Sequence, residues 1–137
     1  MNYLLDTNTC IAVINGKPTT VRVRLQKAIA VAGEIYVSSI VAFELWYGVS
    51  KSTRPEFNAR RVEAFFAGPV NILPFENEDA KVAGRIRAVL ETAGKPIGAY
   101  DTLLAAQALQ RQLTLVTADV SEFSRVEGLR WQDWAKA

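Results

Sequence analysis

Histidine is absent from the 137 residues of this chain. Its absence excludes Ser–His triads, histidine-ligated zinc and the histidine acid–base pairs that many ribonucleases use. There is a single cysteine, Cys10, which can form neither an internal disulfide nor a zinc site, and this indicates a reducing compartment. Any hydrolytic chemistry must therefore use carboxylates, lysine, hydroxyl groups or a metal ion.

Long apolar segments are also missing, since no run approaches the ~18 residues that a membrane span requires. The first residues, MNYLLDTNTC, lack a basic region before their apolar stretch and soon reach Asp6. We therefore expect no signal peptide and a cytoplasmic protein. Half of the residues are hydrophobic and 22% are charged, which suits one folded domain over residues 1–137.

Short apolar runs alternate with longer amphipathic patterns along the chain. The runs predict strands over 3–5, 35–37, 70–73 and 113–117, with a possible fifth over 129–131. The amphipathic patterns predict helices over 7–15, 21–32, 39–51, 55–67, 76–92 and 99–111, with Ser39 as a plausible cap of the third. Strands separated by helices predict a three-layer α/β/α sandwich around a mostly parallel sheet of four to five strands.

Two aspartates follow predicted strands, where an open parallel sheet binds its ligands. Asp6 comes directly after the first strand, and Asp119 lies two residues beyond the fourth. A third aspartate, Asp101, falls in the first turn of an Ala/Leu-rich helix. Each has an ordinary alternative role, because aspartate is common as a helix cap and in the first turn of a helix.

Glu44 is the only charged residue between Ile35 and Val49. Its helix is apolar on every side, with Ala42, Trp46 and Val49 on the face opposite Glu44, so we expect the helix and Glu44 to be buried. A salt-bridged or hydrogen-bonded core glutamate is the alternative. A domain of this size has little room to cover such a helix completely. We therefore expect a second protein chain to cover the face opposite Glu44, unless residues 55–67 fold over that face.

Taken together, the four carboxylates can converge on one crevice. At an effective dielectric of ~20, two like charges 4 Å apart repel by ~4 kcal/mol, so such a cluster needs protons, basic partners or a cation. Oxygen donors without histidine or cysteine suit Mg²⁺ or Mn²⁺. We expect Asp6, Asp101 and Asp119 to be metal ligands and Glu44 to bind a second ion or orient the attacking water.

Four segments in register resemble the PIN-domain ribonucleases of the VapC toxin type: LLDTNTCIAVING, SSIVAFELWYGVSKS, PIGAYDTLLAAQAL and TLVTADVSEFSRVEGLRWQDW. The resemblance extends from Tyr3 to Trp134. It places the catalytic acids of the family at Asp6, Glu44, Asp101 and Asp119, and other family positions at Asn8, Thr117 and Glu122. One departure is Ala99-Tyr100 before Asp101, where many relatives carry Pro-Asn, and it affects the substrate contacts.

The resemblance implies a Mg²⁺-dependent endoribonuclease that acts as a toxin and is held inactive by a VapB-like antitoxin. It further implies a homodimer, an RNA substrate such as tRNA, and contact with DNA only through the antitoxin. An inactive PIN-like RNA-binding domain is one alternative. A haloacid-dehalogenase-like phosphatase is a weaker one, because that class needs a second aspartate at the position of Asn8.

Supporting and RNA-binding roles are assigned by residue type. Outside the quartet, sixteen basic residues face ten acidic ones, which leaves a charge of +6 to attract a phosphate backbone. The candidate RNA contacts are Arg22, Arg24, Lys27, Lys51, Arg54, Arg60, Arg61 and Arg85. The residues expected to support the carboxylates or the scissile phosphate are Thr7, Asn8, Ser38, Thr117 and Glu122.

Overall fold

Five short parallel strands form the single sheet of the computed structural model, which describes residues 1–136. The strands are β1 (Tyr3–Leu5), β2 (Ile35–Ser38), β3 (Asn71–Leu73), β4 (Thr114–Val116) and β5 (Trp131–Gln132). Their order is β3-β2-β1-β4-β5, and all four pairings are parallel. The predicted fold class, including the fifth strand, is confirmed.

In the described part of the chain, seven helices connect and flank the strands. They are α1 (Thr7–Asn15), α2 (Thr19–Ala30), α3 (Ser39–Lys51), α4 (Pro55–Ala67), α5 (Asn77–Thr92), α6 (Ala99–Arg111) and α7 (Val120–Phe123). Helix α2 ends at Ala30 rather than residue 32, since Ala32 has a φ of 62°. The predicted cap of α3 was wrong by one residue, because Ser38 Oγ accepts the hydrogen bond from the Ile40 amide at 3.0 Å.

The sheet lies in the centre of the molecule with helices on both faces. Leu4 and Leu5 of β1 and Leu115 and Val116 of β4 are completely buried. Burial on both faces explains why these strands are runs of apolar residues instead of alternating patterns. No helix within residues 1–136 has both the length and the apolar character needed to cross a membrane.

Helix α3 departs from its expected environment. Val41, Leu45 and Val49 are buried, but Phe43 and Tyr47 are 54% and 58% exposed. The prediction that α3 is buried on every side was therefore wrong, and Glu44 is only half-buried. Helix α4 packs against α3, but Trp46 on the face opposite Glu44 is still 37% exposed, so residues 55–67 do not cover that face completely. The apolar pattern could not distinguish a face covered by α4 from one left exposed.

Candidate active site

Asp6 lies where the central strand β1 ends and helix α1 begins. Its Oδ1 accepts a hydrogen bond from the Thr9 amide at 2.8 Å, and the residue is 7% exposed. Burial raises the pKa of Asp6; hydrogen bonds from Thr9 and Thr117 lower it by less, and the charge of Asp119 raises it further. A carboxylate held this rigidly and penalised for its charge is one that a bound cation would stabilise.

Asp101, Asp119 and Glu122 form a compact acidic cluster next to Asp6. Each offers a carboxylate oxygen, and these oxygens lie within 4.8 Å of one another. Asp101 is in the first turn of α6, whereas Asp119 caps α7 by accepting from the Glu122 amide at 3.4 Å. The four-residue helix α7 thus brings Glu122, expected only in a supporting role, into the cluster itself.

The cluster carries negative charge that no basic side chain balances. The salt bridges found within residues 1–136 use Glu76, Glu78, Asp79 and Glu91, and none reaches the cluster or Asp6. Burial, then a hydrogen bond and repulsion from Glu122, raise the pKa of Asp101 to about 7, with further repulsion from Asp119 and Asp6. A divalent cation would replace the proton that Asp101 otherwise retains near neutral pH.

The backbone next to the cluster leaves space for such an ion. A Cβ atom added to Gly98 would lie 3.4 Å from Asp101 Oδ2 and 3.9 Å from Glu122 Oε2. Glycine therefore keeps the oxygens of both acids open on this side. Compact oxygen donors without a basic partner fit a hard divalent ion, which prefers carboxylate and water ligands.

Glu44 lies outside the acidic cluster but is hydrogen-bonded to the residue that follows Asp6. The Thr7 hydroxyl donates to Glu44 Oε1 at 2.7 Å, across 37 residues of sequence. Because Thr7 directly follows Asp6, this bond fixes the position of Glu44 relative to the buried aspartate. Such a carboxylate can accept a proton or orient a water molecule beside the metal site.

The other predicted supporting residues differ in what they contact. Thr117 is fully buried, and its Oγ1 accepts from the Asp119 amide at 2.9 Å while its hydrogen bond to Asp6 lowers the pKa of that carboxyl. Ser38 is a helix cap, and Asn8 is exposed on α1. Thr9, which the sequence analysis did not single out, also donates from Oγ1 to the Val116 carbonyl at 3.1 Å.

The candidate RNA contacts are distributed over several surfaces. Arg22 donates to the carbonyls of Val13 and Ile14 at 2.7 and 3.0 Å, so it caps the end of α1. Lys51 and Arg54 lie over the rings of Tyr47 and Phe57 at the α3–α4 corner. The remaining candidates are Arg24 and Lys27 on α2, Arg60 and Arg61 on α4, and Arg85 on α5. A role in RNA binding stays a prediction for all of them.

Carboxylates at the carboxyl edge of a parallel sheet define an α/β protein whose acidic cluster could hold a divalent metal ion, as carboxylates do in metal-dependent phosphodiesterases. The PIN domain family matches residues 3–129. The tRNA(fMet)-specific endonuclease VapC of Shigella flexneri is 38% identical over 135 residues, which cover 98% of this chain and 99% of that protein.

Two solved complexes have the same fold. VapBC2 from Rickettsia felis, bound to a DNA fragment from its promoter, is 36% identical with a TM-score of 0.91, covering 98% of this chain and 99% of that one. DNA-bound VapBC from Salmonella typhimurium is 39% identical with a TM-score of 0.89 and covers 98% of both chains. The chain belongs to the PIN-domain family and, within it, to the VapC-type endoribonucleases.

Proposed function

We propose that this chain is the toxin of a VapBC-type toxin–antitoxin module and hydrolyses RNA phosphodiester bonds with Mg²⁺. The observation that carries the proposal is the unbalanced cluster of Asp101, Asp119 and Glu122 beside the buried Asp6. The absence of histidine supports it further, because histidine is the side chain that most often acts as general acid and base near neutral pH.

The carboxylates would hold the ion, and their neighbours would hold the carboxylates. Asp6, Asp101 and Asp119 are the proposed ligands, with Glu122 close enough to join them. When bound, Mg²⁺ would supply a Lewis acid and a coordinated water as nucleophile, and Mn²⁺ could substitute for it.

The protein's own contribution is position and proton transfer. Glu44, whose Oε1 accepts a hydrogen bond from the Thr7 hydroxyl, is the proposed acceptor of a proton from the attacking water. Thr117 holds the backbone of Asp119 and contacts Asp6, so one hydroxyl links two of the proposed ligands. Burial of Asp6 and the rigid end of β1 limit motion of the ligand set.

The proposed substrate is structured RNA, and tRNA is its first candidate. A VapC relative that is similar over nearly its full length is a tRNA(fMet)-specific endonuclease. A VapB-like antitoxin is the proposed partner, because the solved relatives are VapBC complexes. Both complexes contain DNA, which in the Rickettsia felis complex is a promoter fragment, and we assign DNA contact to the antitoxin. The proposed site of action is the cytoplasm, where such RNA substrates occur.

A homodimer is the proposed quaternary state, with an aromatic face of α3 and α6 as its contact surface. This aromatic face consists of Phe43, Trp46, Tyr47 and Tyr100, which are 37–58% exposed. The Phe43 and Tyr100 rings contact each other edge to face, with centroids 5.8 Å apart. A contiguous exposed aromatic surface of this kind favours burial against a protein.

Cleavage of purified tRNA tests the proposal directly. The wild-type protein should cut it in Mg²⁺ and lose activity in excess EDTA, while Asp101→Asn should be inactive in both conditions. Glu78→Gln is the matched control, since it makes the same carboxylate-to-amide change at an exposed residue paired with Lys81. Cleavage by Asp101→Asn at the wild-type rate would contradict the proposed function.

A further inference from the structure

A cleft beside α5 is lined by basic and apolar side chains. It has a volume of about 760 Å³ and lies between the second half of α5 and the turn that follows α7. Ile86, Val89 and Val126 contribute apolar surface, and Val89 is 66% exposed. Arg85, Lys95 and Arg125 line the same cleft. The volume is within the range of small-ligand sites. We call it the α5 cleft.

The cations of the α5 cleft lack acidic partners. Among residues 1–136, Arg85, Lys95 and Arg125 lie within 4.0 Å of no carboxylate, whereas the other basic residues of α5 are paired. Lys81 bonds Glu78 at 3.4 Å, and Arg87 bonds Glu91 at 3.1 Å. Because Glu127 is the one acidic residue that lines the cleft, three cations against one anion favour an anionic occupant.

Two segments that line the α5 cleft are close in sequence to residues of the candidate active site. Arg125 follows Glu122 by three residues, and its amide donates to the Glu122 carbonyl at 3.1 Å. On the other side, the Arg125 guanidinium donates to the Pro96 carbonyl at 2.9 Å, two residues before Gly98. Arg125 thus lines the α5 cleft and also connects the two short segments that carry Glu122 and Gly98.

We propose that the α5 cleft binds one unpaired RNA nucleotide next to the cut phosphodiester bond. Arg85 and Lys95 would contact its phosphates, and the apolar side chains that line the cleft would contact its base or ribose. This inference rests on the proposed function. A second copy of the chain is disfavoured as the occupant, because a two-fold contact across the cleft would bring the same cations together.

Salt-dependent RNA binding tests the inference. Arg85 and Lys95 are exposed, so Arg85→Gln/Lys95→Gln should fold normally. Binding of a labelled single-stranded oligoribonucleotide is measured by anisotropy at several salt concentrations, in an Asp101→Asn background that prevents cleavage. Loss of two phosphate contacts should lower the slope of log affinity against log salt by about 1.4.

The matched control is Lys81→Gln/Arg87→Gln, which removes two positive charges from the same helix but outside the α5 cleft. Its slope should remain at the background value. Equal slopes for the two double variants would overturn the inference, and so would a changed oligomeric state of the cleft variant with an unchanged slope. If the wild-type chain cleaves RNA in Mg²⁺ while the slopes are equal, only the cleft assignment fails. If it neither cleaves nor binds RNA, the proposed function fails as well.

Discussion

The ionisation of Asp101 depends on the other acidic residues of the candidate site. The pKa of Asp101 is raised to about 7 mainly by burial and by Glu122, with smaller repulsion from Asp119 and Asp6. At neutral pH the metal-free protein therefore retains a proton on about half of its Asp101 carboxyls. Metal binding has to displace this proton, so metal affinity and the ionisation of Asp101 are coupled.

Removing one charge from the cluster should separate catalysis from stability. Asp101→Asn should abolish cleavage because it removes a proposed metal ligand. Without metal it should raise Tm, since repulsion by Glu122 is lost. For a half-exposed group, screening limits the gain to about 1 kcal/mol, or a rise of ~3 °C. Calorimetry in EDTA measures the shift, and a lower Tm than the wild type would contradict the repulsion.

The raised pKa of Asp101 also predicts the pH dependence of stability. A carboxyl group with a higher pKa in the folded state than in the unfolded state binds its proton more tightly when folded. Its stabilisation is complete below the ordinary value of 3.8 and is lost as pH rises through about 7. The Tm of the metal-free protein should therefore fall between pH 5 and pH 8.

The variant and the metal provide the controls for this pH dependence. Asp101→Asn has no titrating group at this position, so its Tm should decline less over the same range. Added Mn²⁺ should restore the wild-type Tm most strongly at pH 8, where Asp101 is ionised. A parallel decline in the wild type and in Asp101→Asn would show that Asp101 does not titrate in this range.

At the scale of elements, the sequence predicts most of the architecture because buried parallel strands and amphipathic helices have distinct apolar patterns. Helix α4, for example, has the predicted bounds of Pro55–Ala67. Helix α7 was not predicted, since four residues are too few to show a helical period. For this reason the sequence alone predicts only a supporting role for Glu122, although α7 places it within the acidic cluster.

Helix α3 shows the other limit of sequence reasoning. Its composition predicts burial without identifying the neighbour that provides it. Val49 is buried within the same chain, whereas Phe43 and Tyr47 remain exposed. The convergence of Asp6 and Asp101 could be predicted, because strand ends and helix starts meet at one sheet edge. The hydrogen bond between Thr7 and Glu44 spans 37 residues, and no local pattern encodes it.

The aromatic face predicts how the protein associates. If a second copy covers it, Tyr47→Glu should convert a dimer into a monomer, because a charge would be buried at the contact. Val31→Glu is the control, since Val31 is 77% exposed at the end of α2, away from this face. Light scattering at several concentrations measures the mass. A monomeric wild-type protein at high concentration would argue against the dimer.

At the scale of the whole molecule, charge and chemistry act together on RNA. The chain has a net charge of +2, and neutralising the acidic site with a divalent metal leaves a more positive surface around it. Within residues 1–136, several basic residues outside the site have no acidic partner, including Arg85 and Lys95 at the α5 cleft. RNA binding should therefore weaken steeply with salt, while the carboxylates determine how the bond is cut.

The absence of histidine predicts the chemistry of the cut ends. RNA can be cleaved by its own 2′-hydroxyl, which needs a general base and a general acid and leaves a 2′,3′-cyclic phosphate. In this chain, the carboxylates that we propose to bind a metal favour attack by water in line with the leaving 3′-oxygen. The products should therefore carry 5′-phosphate and 3′-hydroxyl groups. A 2′-deoxy substitution at the scissile nucleotide should affect only binding and RNA shape, not the chemical step.

Ligation-based analysis identifies the groups at the cut ends, with untreated RNA as the control. Cyclic phosphates in the products, or full activity in excess EDTA, would exclude attack by a metal-activated water.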